Sequence, residues 1–338
     1  MQAELICRRG VRLRRWPLLV LAVSVATALG VASPALAYMA YVTNERDNTV
    51  SVVDLDKMQT VKTIMVGQRP RGIVISPDGK FLYVCAGDDD IVQIIDTKSQ
   101  EVIGDLPSGP DPELLALSKT GELLYLSNEN DALVTIIDVK ERKALTQIPV
   151  GVEPEGMGVS PDGKIVVNTS ETTNMAHFID TDKREVVANV LVDARPRYAE
   201  WKSDGSEVWV SAEVGGTVSV IDPLKHVVTG KIIFSVPGLR SEAIQPVGIR
   251  FTKDGKLGFV ALGPANRVAV VNAQTHEVEK YLLVGQRVWQ LAFTPDQKYL
   301  ISTNGVSNDI SVIDVANLKV IKSVQVGSFP WGVAISPE

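Results

Sequence analysis

Seven times along this chain a short apolar run ends in an acid or its amide. The runs are VSVVD at Asp54, VQIID at Asp96, VTIID at Asp138, AHFID at Asp180, VSVID at Asp222, VAVVN at Asn272 and ISVID at Asp314. They are spaced by 42, 42, 42, 42, 50 and 42 residues. A fixed period of this length constrains the fold more than composition does, because each unit must bury its apolar face against a copy of itself. A second landmark precedes each by about ten residues: YVTN at Tyr41, YVCA at Tyr83, YLSN at Tyr125, VNTS at Val167, WVSA at Trp209, FVAL at Phe259 and ISTN at Ile301. A third is a turn, SPDG at Ser76 and Ser160 and its variants at Ser118, Lys202, Thr252 and Thr294.

Each unit holds four short β-rich runs, termed a to d, as in GIVIS, FLYVC, IVQII and EVIGDL. Alternation within c, with Ser51 between Val50 and Val52, fits strands rather than helices. The Pro-Asp-Gly turns suit a tight a–b hairpin, and the terminal Asp of c suits a side-chain bond to the next turn. Four strands in about 42 residues describe a propeller blade, so the fold expected is an all-β, seven-bladed β-propeller. The chain enters the pattern at strand b (Met39–Asn44) and leaves it after strand a (Gly332–Ser336). Three N-terminal strands, b, c and d, and one C-terminal strand a therefore complete a single blade and close the ring.

Residues 1–37 read differently. Five arginines, Arg8, Arg9, Arg12, Arg14 and Arg15, precede an apolar stretch from Leu18 to Ala32, followed by Ala35-Leu36-Ala37. This is the pattern of a secretory signal peptide, with a propeller over 38–338. The apolar run is short of the ~20 residues a membrane span requires. The expected location is periplasmic or secreted, with no membrane span after cleavage. The segment carries five Arg and one Glu, so its removal takes the formal net charge from −6 to −10. An acidic exported chain argues against nucleic-acid binding. Cys85 then stands alone in an apolar strand, without an internal disulfide partner.

The YVTN tetrapeptide at Tyr41–Asn44 together with the repeats resembles the YVTN family of β-propellers over the whole of 38–338. The subgroup it is most similar to is the exported propeller associated with pyrroloquinoline-quinone (PQQ)-dependent alcohol catabolism, whose members are encoded beside transporter genes. The long fifth unit, FSVPGLRSEAIQPVGI, also resembles that subgroup. The resemblance implies a pathway association rather than a demonstrated activity. The chain has no C-x-x-C-H, no Gly-rich phosphate loop and no G-x-S-x-G elbow. His177, His226 and His276 do not converge on the repeat. The stacked tryptophan repeats of quinone-dependent dehydrogenases are missing too, so the chain looks like an accessory rather than the quinoprotein enzyme.

A ligand site is expected where d–a and b–c loops share one face, at the mouth of the channel lined by the a strands. Pro70 recurs before strand a as Pro112, Pro154, Pro196, Pro246 and Pro330. The residues flanking this proline vary. Arg69 is replaced in turn by Asp111, Glu153, Arg195, Gln245, Arg287 and Phe329, and Arg71 by Glu113, Glu155, Arg197, Val247, Trp289 and Trp331. A constant scaffold with variable charged and aromatic flanks has the form of a functional rim. The set Arg69, Arg71, Asp111, Glu113, Glu153, Glu155, Arg195, Arg197, Arg287, Trp289 and Trp331 fits two readings, a ligand site or a structural ion-pair network. Arg forks and indoles suit a planar anion such as PQQ. On the same face Asp88, Asp89 and Asp90 offer oxygens for a hard metal ion, or form a solvated acidic tip.

The leading expectation is a non-catalytic binding or scaffold protein, accessory to PQQ-dependent alcohol oxidation or an associated transport system. Its partner would be a periplasmic protein or a small anionic ligand. The alternatives are a propeller hydrolase or lactonase and a metal-handling accessory.

Overall fold

The four β-rich runs of each unit form four-stranded antiparallel sheets, seven in all among the described residues. The computed structural model describes Gly10 and residues 38–337, so the expected signal segment 1–37 and its cleavage site lie outside the described residues, Gly10 apart. Numbering blades from the first complete unit, the inner a strands are Pro70–Ile75, Pro112–Leu117, Pro154–Val159, Pro196–Trp201, Ile249–Phe251, Val288–Phe293 and Pro330–Ile335. Blade 7 is built from both ends of the repeat: Pro330–Ile335 pairs antiparallel with Met39–Asn44, followed by Thr49–Asp54 and Gln59–Met65.

The middle strands b and c are mostly buried, while outer strands such as Glu101–Pro107 mainly alternate exposed and half-buried residues. The core is divided into seven apolar clusters, each seated mainly between two adjacent blades. Tyr83, Leu106, Leu124 and Ile137 join blades 1 and 2, and Val42, Val53, Ile301 and Val312 join blades 6 and 7. Apolar contact is thus made around the whole ring.

The turn chemistry follows the sequence. Ser76 Oγ donates to Asp78 Oδ1 at 2.7 Å and accepts from Phe81 N at 3.0 Å, with Gly79 at φ 72° closing the a–b hairpin. Asp96 Oδ1 accepts from the amides of Lys98 and Ser99, and Asp54, Asp138, Asp180, Asp222, Asn272 and Asp314 cap the corresponding c–d turns. Cys85 is fully buried, and burial pushes its thiol well above the usual range, which makes it unreactive. The three histidines pack or bond singly: His177 accepts from Gly151 N, His226 stacks edge-on against Phe178, and His276 meets Glu207.

Blade 5 carries the extra residues. Phe234, Val236 and Ile244 are buried in the cluster between blades 4 and 5, whereas Pro237 and Leu239 are exposed. The insertion therefore packs mainly against neighbouring blades. It gives one side chain to the channel mouth, since Gln245 Oε1 accepts from Arg287 Nη1 at 2.7 Å.

Candidate functional site

The rim is set by a repeated backbone device. The residue before each a strand adopts a left-handed conformation in six blades: Arg69, Asp111, Glu153, Arg195, Arg287 and Phe329 have φ between 52° and 60°. This conformation is unfavourable for a side-chain-bearing residue and persists only when its surroundings enforce it. Two bonds do so. The amides of Arg69, Arg195, Arg287 and Phe329 donate to Asn48, Asn174, Asn266 and Asn308 side chains at 2.9–3.0 Å, and the Asp111 amide donates to Asp90. Their carbonyls accept from the first residue of the b–c loop, as when Glu129 N donates to Asp111 O and Glu213 N to Arg195 O. The d–a and b–c loops are thereby tied together and present their side chains to one mouth.

Arg69 and Arg71 both reach the same carboxylate. Glu113, with no exposed surface, accepts from Arg69 Nη1 at 2.9 Å and from Arg71 Nη1 at 2.8 Å. Arg69 further donates from Nε to Asp88 at 2.8 Å and pairs through Nη2 with Asp111. Arg71 completes its fork on Glu45, at 3.2 Å from Nε and 3.0 Å from Nη2. On the other side, buried Arg197 is held by Glu155 at 3.1 Å, by Glu171 and by Glu213 at 3.7 Å. Arg287 donates from Nη2 to Glu213 at 2.7 Å and lies over Trp289, 4.2 Å from the ring centroid. Arg195 is exposed and places only Nε in the network, 2.7 Å from Glu171 and 3.4 Å from Glu213.

These groups surround a cavity of about 310 Å³ lined by Arg69, Arg71, Asp111, Glu129, Arg195, Arg197, Glu213, Arg287 and Trp289. Trp331 is buried, 6.1 Å from Trp289 between ring centroids, so Trp289 supplies the aromatic wall and Trp331 backs it. Glu153 stands apart, its carboxylate bonded by the Thr172 hydroxyl. Asp88, Asp89 and Asp90 do not converge: Asp88 holds Arg69, Asp89 accepts from Gln68 N at 2.7 Å, and Asp90 caps the Asp111 amide. The acids that do meet are Asp111, Glu113 and Glu129, each offering an oxygen within 4.8 Å of the others.

Four network members, Glu45, Glu129, Glu171 and Glu213, fall outside the flanking set read from the sequence. They occupy one repeat position, directly after strand b, where other blades carry Gly87, Gly263 and Gly305. Alignment of that position would have found them. A second charged layer lies deeper, where Arg250 pairs with Glu200 at 3.2 Å and with the Tyr198 hydroxyl.

The carboxylates around the mouth outnumber the arginines, and their protonation reflects it. Burial lifts Glu129, and the negative charge of Glu113 adds to this, to about 7. Burial also holds Glu155 well above the carboxylate range despite Arg197. Burial raises Glu113 as well, but Arg71 and Arg69 more than offset it and leave it below its usual value. A group whose folded value is raised stabilises the fold fully below its unfolded value and loses that contribution as pH rises through the folded one. For Glu129 the window runs from roughly pH 4.3 to 7. We therefore expect chemical-denaturation stability to fall between pH 5 and pH 7.5, and Glu129→Gln to flatten the profile. A wild-type profile that rises across this interval would contradict the assignment.

A family model described as "Lactonase, 7-bladed beta-propeller" matches residues 33–155, less than half of the chain. A search of curated proteins finds no match. Among solved structures, a chain of Kuenenia stuttgartiensis hydrazine synthase superposes with a TM-score of 0.71 at 21% identity, covering 79% of this chain and 90% of that one. A functionally unknown protein from Desulfotomaculum acetoxidans DSM 771 gives a TM-score of 0.74 at 16% identity, covering 89% and 99%. The dihydro-heme d1 dehydrogenase NirN, in complex with DHE, gives 0.66 at 16% identity, covering 87% and 74%. At these identities the likeness establishes the seven-bladed propeller fold.

Proposed function

We propose that the protein is an exported, non-catalytic binding or scaffold propeller. It serves a PQQ-dependent alcohol oxidation system, or a transport system associated with one, through its d–a/b–c loop face. The observation that carries the reading is the dense pairing of the rim arginines with carboxylates. Arg69, Arg71 and Arg197 direct every guanidinium nitrogen at a carboxylate. Such a ring gives a rigid, pre-organised surface, and the described residues lining its cavity include no Ser, Cys or His. The polar opening for a guest is Arg195, beside the Trp289 ring.

A planar anion stacked on Trp289 with a carboxylate on Arg195 fits this arrangement, and the family resemblance suggests PQQ as that anion. Calorimetry on the full chain with PQQ, short alcohols and divalent ions tests it. Arg195→Ala should weaken PQQ binding roughly tenfold to a hundredfold, the range of one charge-assisted bond. Absence of binding to the wild type across these probes sinks the small-ligand half and leaves the face as a protein-docking surface.

Two observations favour lactone hydrolysis as a second reading: the partial lactonase-model match, and the Glu129 carboxyl held at about 7, suited to general-base activation of water. Turnover of a lactone panel, with and without divalent metal and lost in Glu129→Gln, would replace the non-catalytic assignment. Metal-handling rests on Asp111, Glu113 and Glu129 alone and is tested by the same divalent-ion titration.

A further inference from the structure

A cavity larger than the channel mouth lies away from it, on the opposite face of the ring. It is a crevice of about 470 Å³ between blades 1 and 2. Its apolar wall includes Phe81, Tyr83, Ile94, Ile103 and Val139. Ile103 is 45% exposed there.

Two repeat positions explain why the crevice opens here. The neighbouring groove between blades 2 and 3 holds Tyr125, Thr146, Thr181 and Arg184; moved back by 42 residues, these become Tyr83, Gly104, Val139 and Arg142. In the neighbouring groove the polar Thr181 stands beside Tyr125, its hydroxyl donating to Gly163 O at 3.0 Å and Lys164 O at 3.1 Å. Val139 puts an apolar side chain at the corresponding place, and the Tyr83 hydroxyl makes no hydrogen bond among the described residues while keeping some solvent exposure. Where blade 2 has Thr146, blade 1 has Gly104, at φ 151°, and a Cβ there would meet Arg142 Nη1 at 2.5 Å. The missing side chain lets the Arg142 guanidinium lie across strand d. Arg142 makes no ion pair or hydrogen bond among the described residues, in contrast to the rim arginines.

A phenol hydroxyl without a protein partner and an exposed, unpaired guanidinium thus line one crevice with an apolar wall. We propose that it is a second binding site, for a small organic monoanion with an apolar body, such as an aryl or medium-chain alkyl carboxylate. The carboxylate takes the Arg142 fork and the Tyr83 hydroxyl, and the body lies against Phe81, Ile94, Ile103 and Val139. The volume is within the range of small-molecule sites. Asp78 is already held by Lys80 and Ser76, and Glu122 by the Thr120 hydroxyl; their charges select against a dianion.

The test is ligand-observed NMR and calorimetry on the full chain with sodium benzoate and sodium octanoate, against benzyl alcohol and 1-octanol. Both anions should bind saturably and more tightly than the alcohols. Arg142→Gln should weaken them roughly tenfold to a hundredfold, with an unchanged melting temperature. Tyr83→Phe should weaken them several-fold, and Arg184→Gln, in the neighbouring groove, should leave them unaffected. The assignment is overturned if neither anion binds the wild type, if the alcohols bind as tightly, or if Arg142→Gln binds as the wild type does.

Discussion

Removing residues 330–338 should abolish cooperative folding. The lost strand, Pro330–Ile335, is buried along its whole length and pairs with Met39–Asn44. Trp331, Val333 and Ile335 belong to clusters that join blade 7 to the rest of the ring. Burying side chains of this kind contributes about 1.5–3 kcal/mol each. Three of them amount to a large part of the ~5–15 kcal/mol that holds a typical domain folded. The deletion also uncovers the inner edge of Met39–Asn44, a row of unpaired backbone groups facing the channel. Circular dichroism should show no sharp thermal transition, and the protein should sediment as aggregate. A melting curve that matches the full chain would mean that the C-terminal strand is dispensable for the fold.

That the fold was readable from sequence, and the site only in part, has a physical cause. Strand positions repeat because each blade meets the same neighbours. Val52, Ile94 and Ile136 are each buried on strand c, and the Asp ending that strand caps a turn in every blade where it occurs. The channel mouth is where the repeat breaks, so its residues were visible as deviations. What they do depends on which deviation faces which. Arg69 and Arg71 meeting on Glu113 requires a left-handed residue before Pro70, and nothing in the letters at 69–71 announces one. Glu129, Glu171 and Glu213 escaped for a related reason. As single acids in loops they look like solvated surface residues, yet their shared place after strand b ties them by backbone to the preceding turn and turns them inward.

Replacing Arg197 by Met should have the largest effect of any single change at the mouth. The guanidinium is almost wholly buried and lies among Glu155, Glu171 and Glu213, all of them buried as well. Methionine fills much of the stem's volume but leaves three carboxylates without their shared cation. Breaking a buried pair from one side costs about 3–5 kcal/mol. The loss should depend on pH with a definite sign. Without Arg197, whose charge opposes the burial penalty, the Glu155 carboxyl rises further above its unfolded value, so folding is favoured when it is protonated and disfavoured as it ionises. The deficit against wild type should therefore be smallest near pH 5 and grow toward pH 8. Glu155→Gln in the Met background should recover part of it, because the amide keeps the shape and is neutral without taking up a proton. Urea titrations of the three proteins at pH 5 and pH 8 decide the matter. A deficit that is the same at both pH values would place the loss in packing rather than charge, and the mouth would then owe its rigidity to shape and not to its ion pairs.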